Sequence, residues 1–87
     1  MKIINIETHA FFRTIERGQK HGLDYYETKE RAFKAVREGR PAARKHLSRQ
    51  HKTYHAYFND NLSFYVICLE KGKKVLIKTV IIEEGKE

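Results

Sequence analysis

Eighty-seven residues, 40% of them hydrophobic and 33% charged, read as one folded soluble domain with a thin core. A lone cysteine, Cys68, excludes a disulfide framework and any multi-cysteine metal site, and no apolar run approaches the roughly 18 residues of a membrane helix. Eighteen Lys and Arg against eleven Asp and Glu give a formal +7, which points to an acidic partner; with no signal-peptide pattern, the expected location is cytoplasmic.

Residues 1–6 form a short apolar run rich in isoleucine, either a strand or the lead-in to a helix. Thr8 reads as the N-cap of a helix from about residue 9 to residue 20, ended by Gly18 and Gly22. Phe11, Phe12 and Ile15, with Ala10, make its apolar side. Asp24 followed by Glu27 is a capping-box variant that opens a second helix, running to about Glu38. Tyr26, Phe33 and Val36, with Ala32, form its stripe; Gly39 is the expected C′ residue, and Pro41 prevents continuation.

From Thr53 the period changes to two. Residues 53–58, 62–69 and 74–82 are β-branched and aromatic runs, punctuated by Asn59-Asp60-Asn61 and Lys71-Gly72. Residues 43–47 are a possible further strand. The expected fold is α+β, with two N-terminal helices packed on one face of a three- to four-stranded antiparallel sheet. A three-residue loop at residues 60–62 and a two-residue loop at Lys71-Gly72 fix a register. Tyr54, Ala56 and Phe58 then share an apolar face with Phe64, Val66 and Cys68, and with Val75, Ile77 and Thr79. The opposite face carries His55 and Tyr57, Ser63 and Tyr65, and Leu76, Lys78 and Val80, with Tyr57, Tyr65 and Lys78 in one cross-strand row.

Charge is uneven along the chain. Residues 1–52 hold thirteen basic and six acidic side chains, while residues 53–87 hold five of each. No acid lies between Gly39 and Asn59, a stretch that holds Arg40, Arg44, Lys45, Arg49 and Lys52, with His46, His51 and His55. Such a block suits a polyanion; an acidic protein partner serves as well as RNA, and plain solvation is the bland alternative.

The polar-aromatic face beside this block is the candidate for chemistry. Metal-free RNA cleavage needs a base for the ribose 2′-hydroxyl, an acid for the leaving 5′-oxygen and cations for the phosphate. His55 supplies the acid or base, Tyr57 and Tyr65 stack bases or donate protons, and Lys78 with Arg44 and Arg49 holds phosphate. The plainer alternative is an exposed strand histidine among packing tyrosines. His51 and His55, four apart on a loop-to-strand segment, do not make a helical metal pair, and no metal or other cofactor is implied. Cys68, mid-strand on the apolar face, reads as a buried inert thiol.

The segment His9-Ala10-Phe11-Phe12-Arg13-Thr14-Ile15-Glu16-Arg17-Gly18 resembles the "H-A-x-x-R-x-x-E-R-G" opening of a small family grouped with toxins of the RelE and BrnT type. The likeness extends over roughly residues 8–82, through Arg44-Lys45-His46 and Lys78-Thr79-Val80-Ile81. It implies a RelE-like fold and metal-independent cleavage of mRNA, on the ribosome in some members, held in check by an acidic antitoxin. It marks His9, Arg13 and Arg17; the two arginines share a helix face, which fits either phosphate contact or ion pairing within the fold. Two functions therefore stand: a toxin-like endoribonuclease (an mRNA interferase), or a non-catalytic nucleic-acid- or protein-binding module on the same scaffold.

Overall fold

Gly22, Asp24 and Gly39 divide the N-terminal half of the chain. A computed structural model describes residues 2–42 and 51–86. Strand β1 (Ile3–Ile6) is followed by helices α1 (Thr8–Lys20) and α2 (Tyr25–Glu38), then strands β2 (Arg40–Pro41), β3 (His51–Tyr57), β4 (Leu62–Lys71) and β5 (Lys74–Glu84). The possible strand at residues 43–47 lies outside the described residues.

The residue capping α1 is Glu7, one position earlier than the expected Thr8, and its side chain makes no cap bond. The helix ends in a Schellman motif: Gly22, at φ 78°, donates to the Gln19 carbonyl, and Leu23 donates to that of Gly18. Gly22 supplies the left-handed residue, so Gly18 is inside the helix and serves another purpose. The buried line of α1 is Ala10, Thr14 and Gly18, while Phe12 is 60% exposed. Small residues face inward because α2 passes close by: a Cβ at Gly18 would lie 2.0 Å from Thr28 Oγ1. The expected bulky stripe is displaced to the flank.

Asp24 caps α2 as expected, its carboxylate accepting from the Glu27 N–H at 2.8 Å. Thr28, Ala32, Ala35 and Val36 form the buried face, and Tyr26, expected there, is instead 78% exposed. At the C-cap, Gly39 is extended (φ −73°), so the reason for glycine is space. A side chain would collide with the carbonyls of Ala35 and His55.

The described strands form one five-stranded sheet in the order β1-β5-β4-β3-β2. β1 runs parallel to β5 and the other pairs are antiparallel, so the sheet is mixed and wider than the antiparallel meander expected. The apolar run at the N-terminus signals a strand, but only the return of the chain past both helices gives it a neighbour. α1 lies over β5, and α2 lies over β3 and β4. Phe64, Val66, Cys68, Val75, Ile77 and Val80, all essentially buried, meet Ala32, Ala35 and Val36 in the core.

The hairpins depart from the expected register in two ways. In the first, Tyr57 pairs with Ser63 and Tyr54 with Val66, a shift of two residues that leaves the faces as expected. Asn61, at φ 66°, accepts the left-handed conformation that tightens this loop. In the second, Lys71 pairs with Lys74 around Gly72-Lys73. A β-bulge then intervenes, because Ile67 pairs with Thr79 while Cys68 pairs with Ile77, leaving Lys78 without a partner on β4. Beyond it the faces exchange: Val80 is in the core and Thr79 on the opposite side, the reverse of the expectation.

Gly18→Ala should overpack the helix crossing and lower stability by about 1–3 kcal/mol in urea unfolding. Combining it with Thr28→Ala should restore part of that loss, because the two side chains compete for one space.

Candidate nucleic-acid interface

A groove of about 850 Å³ opens between the C-terminal half of α2, the Gly39–Pro41 segment and the β3–β4 hairpin. Gly39 creates it by letting the chain leave α2 directly along β3, where Arg40 pairs with His55. Among the described residues, four cations line it (Arg31, Lys34, Arg40 and Lys86) against two carboxylates, Glu38 and Asp60. Arg31 is committed: it bonds Asp60 at 2.8 Å, lies 3.8 Å from Glu27 and covers the Phe58 ring at 4.8 Å. That bond holds the Asp60 carboxyl below its usual range. Lys86 sits 5.8 Å from the centre of the Tyr57 ring. Lys34 and Arg40 are exposed and make no hydrogen bond or ion pair among the described residues.

His55 and Tyr57 also line this groove. The His55 ring stacks on Tyr65, with centroids 4.7 Å apart, and its Nε2 lies 3.0 Å from Ser63 Oγ. Ser63 donates its single hydroxyl proton to the Gly85 carbonyl at 2.6 Å, so its oxygen accepts from His55 Nε2–H. The neutral ring is therefore the Nε2–H tautomer, with its lone pair on Nδ1. Tyr57, 41% exposed, donates to Asn61 Oδ1 at 2.7 Å.

The expected row of Tyr57, Tyr65 and Lys78 is not formed. Tyr65 lies opposite His55 and Ile81 and is only 4% exposed. Lys78, displaced by the bulge, pairs with the Glu7 carboxylate beside α1. Arg17 is half-buried and donates to the Val80 carbonyl, whereas His9 and Arg13 are exposed on α1. Lys52 pairs with Glu70. Arg44, Lys45, His46 and Arg49 lie outside the described residues. Sequence reading missed Lys34, Phe58 and Lys86 as groove residues. Arg40 carried a signal, since it opens the acid-free stretch, whereas nothing in the local sequence singles out Lys34.

A second polar cluster is saturated. Glu70 accepts from Tyr54 Oη at 2.6 Å and Lys52 at 3.0 Å, with Lys2 at 3.5 Å. Lys2 also donates to the Val36 carbonyl at the end of α2, so the cluster ties α2 to the sheet. The Tyr54 hydrogen bond is the main cause holding the Glu70 carboxyl below its usual value. Nearby, burial pushes the Cys68 thiol up to about 11, which makes it a poor nucleophile. Among the described residues, no three His, Cys, Asp or Glu side chains converge as metal ligands.

Comparison with family models, curated proteins and solved structures returns no match. The groove must therefore be read from its own chemistry.

Because the Glu70 pKa is depressed on folding, its contribution to stability is present above the unfolded carboxylate value of about 4.3. That contribution is lost as pH falls through the lower folded value. Glu70→Gln should lower the urea midpoint at neutral pH and flatten its decline in acid.

Proposed function

We propose that the protein binds single-stranded RNA, with the sugar-phosphate chain lying in this groove. The observation that carries the reading is a pair of cations without a partner among the described residues, Lys34 and Arg40, in one groove with His55 and Tyr57. Cations already paired with carboxylates gain little from a phosphate, but free ones release its counterions. The Arg40 guanidinium offers the forked donor that a phosphate accepts, and Tyr57 presents a ring for a base. RNA is favoured by the resemblance of residues 9–18 to RelE- and BrnT-type toxins, and a RelE-like arrangement is part of the same proposal.

A single observation favours a second reading, metal-independent cleavage. The Nε2–H of His55 is committed to Ser63, which leaves Nδ1 as a proton acceptor. In this reading Nδ1 takes the 2′-hydroxyl proton, the 2′-oxygen attacks the adjacent phosphorus, and the departing 5′-oxygen is protonated from solvent. Arg40 and Lys34 meet the developing phosphate charge in place of Lys78, whose ammonium is engaged by Glu7. The chain would then act as a toxin, silenced by an acidic antitoxin in the same groove.

Replacing Lys34 and Arg40 together by alanine should weaken RNA binding. It should also reduce the slope of log affinity against log salt by about 1.4, the value for two phosphate contacts on a single strand. An unchanged slope removes the groove from the binding site.

For cleavage, His55→Ala should reduce the rate about 10²–10⁴-fold without loss of folding, and the products should carry 2′,3′-cyclic phosphates. Magnesium-dependent products with 5′-phosphates would overturn the mechanism.

A further inference from the structure

Beside the groove lies a second hollow of about 400 Å³, almost wholly apolar, between Tyr26 on the first turn of α2 and Phe58 at the end of β3. Arg31, Lys34 and Phe58 line both, so the two form one continuous surface. We propose that the hollow is a nucleobase-stacking subsite, which takes a base of the strand whose phosphates lie against Lys34 and Arg40. The proposal rests on the RNA reading of the groove and extends it.

Tyr26 is the large hydrophobic side chain most at odds with its expected burial, being 78% exposed. Its exposure is organised. Tyr25 meets its ring edge-to-face at 5.0 Å, and Tyr25 in turn meets Phe11 at 5.5 Å. A ring held in this way loses little freedom when a base stacks on it. Phe58 is held similarly, by Arg31 over its ring and by Phe64 at 5.3 Å. The local carboxylates are occupied: Glu27 by Arg31 at 3.8 Å and Glu30 by Arg37 at 2.9 Å. A single strand presents phosphate and base within one nucleotide, and this surface presents a free cation and an apolar hollow sharing the wall of Lys34. Because every base has a π-face, the subsite should be tolerant of sequence but should require unpaired bases. A duplex keeps its bases stacked on one another.

The test compares the wild-type protein with Tyr26→Ala and Tyr26→Phe on three probes: an unstructured RNA of about 12 nucleotides, a matched abasic chain and a duplex. Melting temperatures confirm that the variants fold. Tyr26→Ala should weaken binding of the single strand about 5- to 150-fold, the loss of one stacked base, with the salt slope unchanged. Tyr26→Phe should bind nearly as the wild type, and neither variant should alter binding of the abasic chain or the duplex. If Lys34→Ala/Arg40→Ala weakens binding while Tyr26→Ala does not, the groove stands and the subsite falls. An equal loss on the abasic chain also overturns the subsite, since the contact is then not with a base. If no RNA binds the wild-type protein, both proposals fall.

Discussion

One extra residue in β5 decides how this domain closes. The bulge at Lys78 lets Val75 and Ile77 face the helices before it, and Val80 and Ile82 face them after it. Without it, an unbroken alternation would carry Thr79 and Ile81 inward and turn Val80 and Ile82 out. The bulge also falls where β1 stops, because β1 pairs only as far as Ile77. Beyond that point the outer edge of β5 is covered in part by Arg17, which donates to the Val80 carbonyl, while the displaced Lys78 is taken up by Glu7. One of the two arginines of the His9–Gly18 segment, Arg17, thus has a structural use. The segment's glycine has one as well, since Gly18 admits Thr28 and sets the crossing of the two helices.

The same economy of space makes the groove. Gly39 lets the chain turn from the end of α2 onto the edge of β3 without separating the two, and Arg40 is delivered opposite His55. The helix contributes Lys34 to one wall, and the hairpin contributes Tyr57 and Phe58 to another. A bulkier residue at position 39 would push the edge strand from the helix, so the cations and the imidazole would no longer share one concavity.

Not every charge in the molecule is available for binding. Arg17, Arg31, Lys52 and Lys78 are committed to carbonyl or carboxylate oxygens. Such pairs gain little at the surface, yet they remove a cation from competition for phosphate. Lys34 and Arg40 differ by having no such partner among the described residues, which is why the proposed interface rests on them and not on the overall +7.

The local chemistry of the chain was legible in the sequence. Asp24 caps α2, Gly22 ends α1, period-two runs mark β3, β4 and β5, and Cys68 is buried as its strand position implies. These features depend on a residue and its neighbours within one or two turns, or on alternation along one strand. His55 and Tyr57 share a face as expected because the β3–β4 shift of two positions preserves faces. The tertiary structure alone decided the rest. The parallel partner of β1 lies some seventy residues away, at Ile3 opposite Lys74. The two-residue shift of the second hairpin moves Lys78 away from Tyr65, and the bulge that leaves Lys78 unpaired lies on the strand that packs under α1. Whether Arg40 and Lys34 lack a partner among the described residues, and Lys52 and Lys78 have one, depends on which carboxylate the folded chain brings within reach. Periodicity along a chain states which residues can share a face; only packing between distant segments states which of them meet.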